Sequence, residues 1–118
     1  MSKKKKVNIQ LVDVDVVMFL SRDDYHKYLH KKGVYDVEMY SDGVCTSLAK
    51  GTKFKLVIGI EVGKHKPLEI KGLIVHELSH AITMLFKEYG FNDDELRSYL
   101  LQFLYMEFIG WVDGVLGS

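Results

Sequence analysis

Three side chains stand out for their chemistry. His76, Glu77 and His80 form an H-E-x-x-H pattern, His76-Glu77-Leu78-Ser79-His80. On a helix, residues four apart lie one turn apart on the same face, so two imidazoles can address one cation. Zinc takes histidine nitrogens at about 2.0–2.1 Å in tetrahedral geometry, and a catalytic zinc uses three protein ligands plus water. Glu77 is rotated by about 100° from His76 around the helix axis. It therefore misses the cation and addresses a water bound to it, which is where a general base belongs.

A third protein ligand has to come from elsewhere in the chain. The carboxylates after the motif are Glu88, Asp93, Asp94, Glu95, Glu107 and Asp113. Glu88 lies about 12 Å along the same helix from His80, which is too far to share a cation. Glu95 is better placed, provided the helix that carries it crosses the motif helix obliquely or the intervening loop folds back. His26 and His30 share the i, i+4 spacing but lack the glutamate. Lys27, Lys31 and Lys32 around them describe a solvated helix face, and nearby cations disfavour a metal. His65, just ahead of the motif helix, reads as an exposed loop residue.

The elements that must position these residues follow from periodicity. Val7 to Leu20 alternates, with a change of apolar parity between Leu11 and Val12 that marks a bulge or a bend between two short strands. Ser21 caps a short helix over 22–32 that ends at Gly33, with Tyr25, Tyr28 and Leu29 as its apolar stripe. Strands are expected over 34–40 and 44–48, separated by Ser41-Asp42-Gly43 turn chemistry. The strongest strand is 53–62, where Phe54, Leu56, Ile58, Ile60 and Val62 face one core. A long helix runs from about Pro67 to Tyr89, with Leu78, Ile82, Leu85 and Tyr89 as its stripe and Gly90 as its stop. Asn92 or Asp93 caps a second long helix over about 94–109. The fold class is α+β, a small antiparallel sheet packed on a helical pair.

With 118 residues the chain makes one domain, 7–118, behind a disordered basic terminus, 1–6, that carries the lysine run. Sixteen basic residues balance sixteen acidic ones. That gives no general attraction to nucleic acid or to an anionic membrane, so neither is expected as a partner. Cys45 is the only cysteine, which leaves no internal disulfide. Asn8, Gln10, Asp13 and Asp15 interrupt any signal-like apolar stretch, and Arg97, Gln102, Glu107 and Asp113 interrupt the apolar C-terminal region. A cytoplasmic protein is expected. The run from Leu100 to Trp111 is apolar on nearly all sides, which suits core burial, and whatever part so small a domain leaves uncovered suits a homodimer or another partner.

The motif, followed by Asp93-Asp94-Glu95 and a helix, resembles the gluzincin metallopeptidases, in particular the compact minigluzincins and small phage-type H-E-x-x-H proteins. The resemblance covers roughly 53–108. It implies a minimal zincin-like metalloprotease fold and a zinc-dependent peptidase or related hydrolase. His76, His80 and Glu95 would be the zinc ligands, with Asp94 in reserve, and Glu77 the base. It also implies an edge strand at 53–62 that pairs with an extended peptide substrate. Larger gluzincins add a His or Tyr that stabilises the oxyanion, for which Tyr99, Tyr105 and His65 are candidates; Tyr99 lies one turn beyond Glu95. The metzincin pattern is absent, since no histidine follows His80. The alternative is a zincin-like protein that binds zinc without efficient turnover and serves as an interaction or structural module.

Overall fold

A computed structural model describes residues 4–35, 41–49, 53–63 and 65–117. Four strands and three helices follow in the order β1 (Lys4–Ile9), β2 (Val14–Phe19), α1 (Arg22–Lys31), β3 (Gly43–Leu48), β4 (Lys55–Ile60), α2 (Pro67–Tyr89) and α3 (Asp94–Leu116). The parity change near Leu11 is a hairpin turn. Val12 and Asp13 bond back to Ile9 and Gln10, and Asp13 takes φ 51° to close the reversal. The lysine run is not a disordered terminus throughout, because Lys4, Lys5 and Lys6 form the first half of β1. They are held there by pairing with Phe19, Met18 and Val17.

The sheet order is β1-β2-β4-β3. It is mixed, which corrects the antiparallel expectation: β1 with β2 and β3 with β4 are antiparallel, whereas β2 and β4 are parallel. A parallel pair needs a crossover over one face, and α1 lies on that connection. The sheet is therefore covered on both sides. Val14, Val16, Met18, Leu56, Ile58 and Ile60 face α2 and α3. Val17, Phe19 and Val57 face Tyr25 and Leu29 of α1. This explains why β4 is buried on both faces rather than one. It also overturns the edge assignment of 53–62, since β4 has a partner on each side. The expected strand at 34–40 lies mostly outside the described residues, and Val34 and Tyr35 are not in a strand.

The helix boundaries follow their end chemistry. The Ser21 hydroxyl accepts from the Asp24 N–H at 3.1 Å, and the Asp93 carboxylate accepts from the Leu96 N–H at 3.0 Å. Gly90 closes α2 in the left-handed conformation, φ 70°. α3 continues to Leu116, seven residues past the expected end at Ile109. Gly110 and Gly114 do not stop it because Val112 is buried, and Trp111 and Val115 also pack against the main core. No helix among the described residues is long and apolar enough to cross a membrane.

Candidate metal centre

α2 buries Ile70, Ile74, Glu77, Leu78, Ala81, Ile82, Leu85 and Phe86. The spacing is that of one helix face, and Glu77 is the single charged residue on it. His76 and His80 fall outside this stripe and are exposed. Their Nε2 atoms approach to 3.1 Å, and the rings stand nearly perpendicular at 85° with centroids 4.7 Å apart. Two nitrogens 3.1 Å apart, each about 2.05 Å from a shared cation, subtend roughly 98° at it, close to the tetrahedral value. Without a cation, the same approach suits one neutral imidazole donating N–H to the other.

Glu77 is only 5% exposed. Its carboxylate lies against the backbone of Gly43, where β3 begins beside α2. A Cβ at position 43 would stand 2.8 Å from Glu77 Oε2, 3.1 Å from Cγ and 3.2 Å from Cδ. Gly43 is thus required for space rather than for turn conformation, a role that turn chemistry did not reveal. Burial raises the Glu77 carboxyl above the ordinary glutamate range, and the neighbouring His76 and His80 draw it partly back. No hydrogen bond reaches this carboxylate from any described residue. A desolvated carboxylate beside two converging imidazoles is costly to maintain.

A cleft of 480 Å³ opens onto Glu77, lined by Ser41, His65, Glu69, Gly72, Leu73, His76 and Glu77. His65 is therefore not a plain surface residue, and its side chain is 28% exposed. Its Nε2 meets Asp42 Oδ2 at 2.5 Å, and its Nδ1 stands 3.9 Å from Glu69 Oε2. Asp42 is held in turn by the Arg22 guanidinium at 3.7 Å and by its carbonyl accepting from the Glu61 N–H at 2.8 Å. Glu69 accepts from the Lys66 N–H at 2.9 Å and so caps the start of α2. The sequence separation of Asp42 from His65 hid this dyad, because no local pattern joins two loop residues on different strand ends.

Glu95 and Asp94 do not join the imidazole pair. Both are exposed in the first turn of α3, and among the described residues no group of three His, Cys, Asp or Glu side chains forms a metal site. The start of α3 is tied instead to the far part of α2. Arg97 Nη1 donates to Thr83 Oγ1 at 3.2 Å, and the guanidinium lies 5.0 Å from the centre of the Phe86 ring. The short connection after Tyr89 enforces this, since nine residues of helix separate His80 from Tyr89, roughly 13.5 Å. Tyr99 is 64% exposed and lines a different groove, between β1 and α3, so the structure does not bring it to Glu77. Tyr105 packs against the main core. Compared with known proteins, the chain matches no family model, no curated protein and no solved structure.

Proposed function

We propose that the chain is a zincin-like hydrolase in which His76 and His80 hold one zinc ion and Glu77 activates the attacking water for cleavage of a peptide bond. The observation that carries this reading is the 3.1 Å convergence of the two Nε2 atoms beside a buried carboxylate that accepts no hydrogen bond from any described residue. The donor set suits zinc, for which imidazole is a favoured ligand. Bound there, zinc would supply Lewis acidity and lower the pKa of its water toward about 7.

The chain's own residues account for the rest. Glu77, held in place by contact with Gly43, takes the proton of the attacking water and returns it to the leaving amine. His65 replaces Tyr99 as the candidate donor to the oxyanion. Asp42 fixes its ring through Nε2, and Nδ1 donates when the ring carries both protons. A peptide laid along the sheet would use β3 rather than β4. β3 is the outermost strand among the described residues on that side, and Gly43 brings it to Glu77. Glu95 serves as third ligand only if the first turn of α3 moves toward His80, so loss of zinc affinity in Glu95→Ala tests that assignment directly.

A second reading is zinc binding without efficient turnover. The absence of a third ligand grouped with His76 and His80 among the described residues favours it. The decisive experiment measures metal content and peptide cleavage together. Protein purified without added zinc should carry close to one zinc per chain, and His76→Ala or His80→Ala should lose it. Glu77→Gln should retain zinc and lose cleavage. No zinc in the wild-type chain removes both readings, and zinc with equal cleavage by Glu77→Gln removes the role of Glu77.

A further inference from the structure

A second groove lies away from the imidazole pair. Its volume is 750 Å³, and its walls are two continuous elements. One is Lys5 through Leu11, seven consecutive residues from β1 into the following turn. The other is Leu96, Tyr99, Leu100, Phe103 and Glu107 of α3. The α3 residues recur at three- and four-residue intervals and so form one helix face. That residues of both parities line the wall means the groove follows the rim of β1, not one of its faces. β1 is the end strand of the sheet and has only β2 as partner among the described residues. Its outward N–H and C=O groups are a template for another strand.

We infer that this groove takes an extended peptide from a partner protein, added as a strand to β1, with apolar residues followed by acidic ones. The side chains of β1 set the pattern. Val7 and Ile9 point to the α2–α3 side of the sheet, so Lys5 shares that side. Lys4 lies over the Tyr28 ring on the α1 side. An added strand running antiparallel to β1 presents apolar residues opposite Ile9 and Val7, against Leu96, Tyr99 and Phe103. It then presents acids opposite Lys6, Lys5 and Lys4. Two lysines to one glutamate line the groove, and neither Lys5 nor Glu107 is ion-paired with any described residue. Tyr99 and Leu11, both 64% exposed, supply apolar surface that no described residue covers. A second copy of the chain is the poorer occupant, because successive lysines on an edge oppose self-pairing. Strand addition draws its affinity from main-chain hydrogen bonds and its selectivity from alternate side chains.

The test uses the full chain and a fluorescein-labelled hexapeptide, Val-Thr-Val-Glu-Glu-Glu, followed by fluorescence anisotropy with and without zinc. Saturable binding is expected, unchanged by zinc. N-methylation of alternate peptide amides should weaken it at least tenfold, as should replacing the three glutamates by lysines. Lys5→Glu should lower affinity for the acidic peptide at least tenfold and raise it for the lysine peptide. Tyr99→Ala should weaken both several-fold. Three results overturn the proposal: no saturable binding, binding indifferent to N-methylation, or a wild-type chain that sediments as a dimer closed through β1. The peptide-side changes leave the protein untouched, so misfolding of a variant cannot mask the answer.

Discussion

Replacing Gly43 by alanine asks whether Glu77 is held by shape. The new Cβ would lie 2.8 Å from Oε2, 3.1 Å from Cγ and 3.2 Å from Cδ of Glu77. Carbon contacts settle near 3.5–4.0 Å, so the carboxylate must retreat by about 0.6 Å or more. Rotation of the terminal carboxyl alone does not relieve the contact, because Cγ is also too close. Retreat of β3 is opposed by its pairing, Gly43 with Ile60, and by the Glu61 N–H to Asp42 carbonyl bond of 2.8 Å. Overpacking of this kind costs about 1–3 kcal/mol. A misplacement of about 1 Å at a reacting group costs on the order of a hundredfold in rate, so a ten- to hundredfold loss is expected here. Zinc content should be unchanged, since His76 and His80 are untouched. Gly110→Ala, in α3 and outside the cleft, is the matched control. Nothing lies within 4 Å of its Cβ, and alanine in a helix should add about 0.5–1 kcal/mol of stability. Urea unfolding, zinc analysis and peptide cleavage of both variants provide the measurement. If Gly43→Ala matches wild type in stability, the contact with Glu77 is not what positions it.

Three further perturbations test the surrounding architecture. Asp15 is buried, and the hydrogen bond from Asn8 holds its carboxyl below the usual aspartate value, aided by the charges of Lys53, Lys6 and Lys55 and opposed by burial. A lowered folded pKa means stability that is present above the ordinary aspartate value of 3.8 and lost as pH falls through the folded value. Asp15→Asn should therefore lower the melting temperature at pH 7 and narrow its difference from wild type at pH 3; an equal deficit at both pH values would contradict this. Burial, together with the Glu77 charge, pushes the Cys45 thiol up to about 12, so iodoacetamide at pH 8 should label it far more slowly in the native protein than in urea. Gly59→Ala would set a Cβ 2.7 Å from Cγ and 2.8 Å from Cδ1 of the Tyr25 ring. It should destabilise the chain by about 1–3 kcal/mol in urea unfolding by prising α1 off the sheet, while leaving zinc content unaltered.

The sequence by itself determined what is local. The turn carrying His76 and His80 and the start and stop of α2 follow from spacing and end chemistry within a few residues. So do the Ser21 cap and a cap at Asn92 or Asp93. Fixed helical geometry makes i and i+4 neighbours wherever the helix sits. Tertiary structure decided everything that depends on which elements meet. A two-residue strand period is the same for an edge as for a centre, so it could not tell that β4 is interior or that β2 and β4 run parallel. It also could not place α1 on the opposite face from α2. The cavity that needs Gly43 empty beside Glu77, the Asp42–His65 dyad and the exposed position of Glu95 each join groups from different elements. Their distances are set by how the sheet and helices pack, not by their separation along the chain.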